Sequence, residues 1–135
     1  MYFFPRIEDL KIQANYLGIT DNVEFQVDIP YASLKKELQR ATAAIHSMWN
    51  EHFGIAVVEC IAAGLITVAH NSGGPRMDIV REGCGFRAST PEEYADALSK
   101  IVRYVSIEYS NMVVSECPLS SGVQKSHTRS TFFPE

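Results

Sequence analysis

Glu51 and Glu59 lie in one run, Asn50-Glu51-His52-Phe53-Gly54-Ile55-Ala56-Val57-Val58-Glu59, and Ser72-Gly73-Gly74-Pro75 follows it. Glu59 sits in an otherwise apolar stretch, where a charge is costly unless something binds it. On a helix its neighbours three and four positions away are Ile55, Ala56, Ala62 and Ala63, none of which offers a countercharge. The carboxylate therefore needs donors. The vicinal hydroxyls of a ribose would supply two, and a lysine or arginine from another element would serve as well. Gly54 opens that helix. Without a side chain it lets a ligand approach the free N–H groups of the first turn, which together with the helix dipole favour an anion such as a diphosphate. Glu51 is either a capping acid stabilised by the same dipole or an acceptor for sugar hydroxyls. Gly73 and Gly74 allow a tight loop suited to an anion or a sugar, and also to a plain turn. His46, His52 and His70 invite a metal reading, but their spacing matches neither HExxH nor its inverse, and no metal is expected. Trp49 either stacks on a sugar or packs, with packing favoured.

The elements that must hold these residues alternate. Ile7, Leu10, Ala14 and Leu17 recur at helical spacing over Arg6–Leu17, and Gly18 ends that helix. Val23, Phe25, Val27 and Ile29 alternate with polar residues, which predicts a strand over Val23–Ile29 that Pro30 stops. A helix over Tyr31–Ala41, a strand over Ala43–Ser47, a helix over Gly54–Ala63 and an unalternating strand over Leu65–His70 follow. The last has the pattern of a strand covered on both faces. A loop at Asn71–Pro75 leads into a short helix through Val80, then a brief strand at Gly85–Ala88. Thr90 caps a final helix with Pro91 at its first position and Glu92 and Glu93 in its first turn. Such an order predicts an α/β fold with a parallel sheet. Ligands bind such sheets beyond the carboxyl ends of the strands. The Glu51 loop and the Ser72-Gly73-Gly74 loop follow consecutive strands and should lie side by side there.

The 135 residues carry a net charge of −4 and no dense Lys/Arg cluster, which argues against a nucleic-acid partner. Cys60, Cys84 and Cys117 have no regular spacing. Their odd count without a signal sequence suggests reduced thiols in the cytosol, with Cys60 packed. Phe53–Ala69 is the longest apolar stretch, but Glu59 and Gly64 interrupt it, so a buried helix and strand are expected rather than a membrane span. After about Val105 the period dissolves. We expect residues 1–105 to form the domain and 106–135, rich in Ser and Thr, to be a disordered or irregular tail.

Glu51-x7-Glu59 with Phe53-Gly54 inside it, Ala62-x-Gly64 after it and Ser72-Gly73-Gly74 beyond resembles the donor half of retaining glycosyltransferases of GT-B fold, family 4. The longer strings Ile45–Gly54 and Ala69–Pro75 are similar to the branch of that family that uses GDP-mannose to build α-1,2 linkages on dolichol-linked oligosaccharides at the cytosolic face of the endoplasmic reticulum. The likeness spans about residues 6–105. It implies an enzyme with GDP-mannose as donor, a dolichol-diphosphate oligosaccharide as acceptor, and no bound metal. It implies that Glu59 holds the ribose hydroxyls of GDP and that Glu51, the candidate catalytic residue, holds hydroxyls of the transferred mannose. The backbone of Phe53, Gly54 and Ile55 would meet sugar and diphosphate. Gly73 and Gly74 would line the same pocket, and Asp28 and Ile29 would lie near the base.

Against the family pattern, no acceptor-binding domain and no Arg and Lys pair for the diphosphate is recognisable. Arg76 is the nearest cation in sequence, and it is not given that role. The expectation is an incomplete Rossmann-like sheet, inactive alone, with open strand edges and the Val23–Ile29 strand cut off from the other three. The fragment itself reads as soluble, with membrane and acceptor contacts made through segments it lacks. Alternative readings are a non-catalytic fragment that pairs with a full-length enzyme through its open strands, and an unrelated α/β nucleotide-binding module.

Overall fold

A computed structural model describes residues 4–81 and 83–107. The predicted tail lies outside this range from residue 108 on. The chain divides into two compact units, Met1–Tyr31 and Ala32–Glu135.

In the first unit, α1 spans Phe4–Tyr16. Gly18 closes it at φ 66°, with Ile19 N–H donating to the Ala14 carbonyl and Gly18 N–H to that of Asn15, both at 3.0 Å. A left-handed residue just past a helix allows this double closure. A single 3-10 turn, Thr20–Asn22, follows. The predicted strand Val23–Ile29 is corrected: the segment pairs with no strand among the described residues. Alternation assigns side chains to faces, but a strand exists only where its N–H and C=O groups find a partner. Val23 and Val27 stay exposed here.

The second unit holds the α/β fold the alternating pattern predicts. Helix α2 covers Tyr31–Arg40 and starts at the boundary of the units. Strand β1 is Ala43–His46, α3 Ile55–Ala62, β2 Ile66–His70, β3 Gly85–Ala88 and α4 Pro91–Ile107. The three strands form one parallel sheet in the order β1-β2-β3. Ile45 pairs with Val68 and Val68 with Phe86, so β2 is central.

Two apolar clusters sandwich β2, one on each face. Val57 and Ile61 of α3 join Ala69, Ile79, Val80 and Cys84. Ala97 and Ile101 of α4 join Val68 and Ala88. Residues 68 and 69 point to opposite faces, as the period of two requires. Both faces being covered explains why β2 reads as unbroken apolar sequence. Thr67 is the one buried polar residue among those described, and its hydroxyl donates to the Leu65 carbonyl at 3.2 Å. The cap predicted for α4 is present. Thr90 Oγ1 accepts from Glu93 N–H at 3.3 Å, and the Glu93 carboxylate accepts from Ser89 N–H at 2.5 Å.

Cys84 is buried. Cys60 is a free, half-buried thiol.

Candidate functional site

The site begins where β1 ends. Residues 47–54 lead from the carboxyl end of β1 into α3, and residues 71–74 lead from the carboxyl end of β2 into a single π-helical turn, Pro75–Ile79. The strands are neighbours, so their loops meet on the face where parallel sheets take ligands. Gly74 N–H donates to the Glu51 carbonyl at 2.8 Å. Asn50 N–H donates to Ser72 Oγ at 2.8 Å. A side chain on Gly73 would run into the Glu51 backbone, and one on Gly74 into the carbonyls of His52 and Phe53. The two glycines therefore let one backbone lie directly against the other. That is a more specific role than the tight loop their sequence suggests.

Gly54 stands at φ 89° as the residue before α3, and no side chain caps the helix. Its carbonyl accepts from Val57 and Val58 N–H. The N–H groups of Ile55 and Ala56 have no acceptor among the described residues, which leaves two donors at the positive end of the helix. A Cβ at position 54 would come within 3.1 Å of Pro75 Cγ, so the glycine also lets the π turn pack against this end. Phe53 and Ile55 are 58% and 66% exposed. Apolar side chains in water beside free backbone donors are what a ligand would cover.

Glu51 is half-buried and does not cap α3. Its backbone is pinned while its carboxylate has no hydrogen-bond partner among the described residues. Glu59 is likewise half-buried, one turn into α3, and pairs with no lysine or arginine among the described residues. Of the two sources of donors open from sequence, the protein's own cations do not provide them among the described residues. Glu59 marks its surroundings: burial first, and then its negative charge, push the Cys60 thiol up from its ordinary range.

Trp49 is 73% exposed, which corrects the expectation that it packs. His46, His52 and His70 do not converge, and no three metal-ligating side chains cluster among the described residues. Asp28, at φ 51°, and Ile29 belong to the first unit, and the loop geometry of the second unit stands without them. Sequence reasoning gave no role to Asn50, His70 or the Ser72 side chain. Asn50 adopts φ 54°, and His70 Nδ1 lies 2.8 Å from Ser72 Oγ. The one available signal was the asparagine before Glu51, since asparagine tolerates the left-handed region.

The family model described as glycosyl transferases group 1 matches residues 5–111. The GDP-Man:Man(3)GlcNAc(2)-PP-Dol alpha-1,2-mannosyltransferase of Mus musculus is 50% identical over 101 residues, 72% of this chain and 20% of that protein. The protein of the same name from Xenopus tropicalis is 52% identical over 101 residues, with the same shares. That of Dictyostelium discoideum is 51% identical over 100 residues, 73% of this chain and 20% of that protein. The chain thus spans about a fifth of the length of these relatives. The matched segment contains all three strands and both carboxyl-end loops, and the chain belongs to the glycosyl transferases group 1 family.

Proposed function

We propose that this chain contributes the donor-binding elements of a retaining GDP-mannose-dependent α-1,2-mannosyltransferase. Its acceptor would be a dolichol-diphosphate oligosaccharide built for protein N-glycosylation at the cytosolic face of the endoplasmic reticulum. The observation that carries this reading is the half-buried Glu59, which no cation or other hydrogen-bond donor meets among the described residues and which follows a helix start with two open N–H groups. A nucleoside diphosphate complements both features, its ribose diol suiting the carboxylate and its diphosphate the helix terminus. The names of the relatives supply the guanine nucleotide, the mannose and the lipid-linked acceptor.

In this reading Glu59 holds the ribose hydroxyls and Glu51 those of the transferred mannose. The backbone of Phe53, Gly54 and Ile55 receives the diphosphate and sugar, and Gly73 and Gly74 fix the wall opposite. The work of these residues is to orient the donor and stabilise charge on the departing diphosphate. The helix terminus supplies that stabilisation without a bound metal. The family match sets aside an unrelated nucleotide-binding module. A non-catalytic fragment that pairs through its strands keeps one observation in its favour, the exposed Ile45 on edge strand β1. Co-purification with a full-length enzyme without nucleotide binding would favour it.

Calorimetric titration with GDP and with GDP-mannose tests the assignment. Ribose is common to both ligands, so Glu59→Gln should weaken both by about tenfold or more, the loss typical of a hydrogen bond to a charged group. Glu51→Gln should weaken GDP-mannose alone. Equal loss of GDP affinity in both variants would sink the assignment.

A further inference from the structure

Asn50, the residue before Glu51, holds a left-handed backbone at φ 54°. Asparagine tolerates this conformation better than most residues, but it stays less favourable than the right-handed regions, so bonds that hold it matter. Two bonds from the loop after β2 hold it on either side of the Asn50–Glu51 peptide. Ser72 Oγ takes the Asn50 N–H at 2.8 Å, and Gly74 N–H donates to the Glu51 carbonyl at 2.8 Å. Ser72 is held in turn, because its Oγ lies 2.8 Å from His70 Nδ1.

An amide N–H only donates, so the serine oxygen accepts from Asn50. The Ser72 hydroxyl has a second lone pair and one proton, so it can meet His70 Nδ1 as acceptor or as donor, according to the tautomer of the ring. The result is a relay of hydrogen bonds linking the Asn50 amide, Ser72 Oγ and His70 Nδ1, in which each bond polarises the next. His70 is the last residue of β2, the strand paired on both sides. The relay thus runs from the most constrained strand to the loop that carries Glu51.

We propose that Ser72 and His70 are positioning residues for Glu51, transmitting the rigidity of β2 to that carboxylate through the Asn50 amide. The proposal rests on the reading of Glu51 as the contact to the transferred sugar, so its test separates the two.

In the full 135-residue chain, Ser72→Ala should speed amide exchange at Asn50 by about tenfold, the loss of one hydrogen bond, while Val68 in β2 is unchanged. Ser72→Thr, which keeps a hydroxyl, should restore the slow rate. His70→Phe provides a second route that leaves Ser72 in place and should speed Asn50 exchange to a smaller degree. In titrations, Ser72→Ala should lower the preference for GDP-mannose over GDP and leave GDP affinity alone, as Glu51→Gln does, with Ser72→Thr restoring the preference. A simple packing role would not make that distinction between two ligands. If Glu51→Gln lowers the preference and Ser72→Ala does not, the positioning role is overturned while the sugar contact stands. If Asn50 exchange is unchanged in both Ser72→Ala and His70→Phe, the relay itself is overturned. If Glu51→Gln leaves the preference unchanged, or the unaltered chain takes neither nucleotide, the donor reading falls and the positioning role falls with it.

Discussion

Gly73 and Gly74 show how a residue type can be legible while its reason is hidden. Their sequence announces a tight loop. What they are tight against, the backbone of Glu51 to Phe53, comes from another part of the chain and carries no sequence signal. A methyl group at either position would have to displace backbone rather than a flexible side chain. Gly74→Ala should therefore cost about 1–3 kcal/mol, the usual range for forcing extra atoms into filled space. Chemical denaturation measures it, and an unchanged midpoint would mean that the loops are not in contact. The same reasoning makes Glu59 legible and Ser72 not. Glu59 contradicts its apolar neighbours, whereas a serine before two glycines looks like any turn residue.

Cys60 adds a pH dependence at this scale. Burial, then the charge of Glu59, raise its pKa in the folded protein. A thiol whose folded pKa exceeds its unfolded one holds its proton better when folded. Its contribution to stability is fully present below the unfolded pKa, about 8.5, and is lost as pH rises through the folded value. Stability should fall over that alkaline window in the parent chain and fall less in Cys60→Ala. Denaturation midpoints from pH 7 to pH 10 check this, and parallel curves for the two proteins would contradict it.

Among the elements, β2 decides what the sequence could and could not reveal. Its unbroken apolar run states that both faces are covered, and they are, by clusters built on α3 and α4. The order of β1, α3, β2, β3 and α4 was legible for the same reason, because each buries a face whose period appears in the sequence. Val23–Ile29 has an equally regular period and forms no strand. Periodicity reports which side chains share a face, but pairing depends on a partner that lies elsewhere in the chain. The mutational contrast follows from burial. Leu65, 1% exposed just before β2, should cost about 2–5 kcal/mol on replacement by alanine. Ile45, 54% exposed on edge strand β1, should cost well under half as much. Thermal denaturation ranks the two, and equal losses would show that the exposed face of β1 is covered in solution.

For the molecule as a whole, donor binding and mannosyl transfer are separable tasks. In the proposed site, binding draws on the loops after β1 and β2 and the start of α3, which lie in one unit. Transfer asks in addition that an acceptor hydroxyl be held within about 3–3.5 Å of the reacting carbon, the orientation from which enzymes draw much of their rate. The chain spans 20% of the length of its mouse relative, and its sequence has no match to the Arg and Lys pair that the resemblance implies at the diphosphate. Each charge-stabilising donor missing from such a site typically costs about 10²–10³ in rate. The 135 residues should therefore bind GDP-mannose without transferring mannose to a dolichol-diphosphate oligosaccharide. The binding should also survive EDTA, since backbone donors at α3 rather than a metal meet the diphosphate in the proposed site. Titration with and without chelator, beside a radiolabelled transfer assay on the same preparation, measures both. Turnover above background would place the acceptor site within these residues, and binding lost to EDTA and restored by one divalent ion would reverse the metal-free reading.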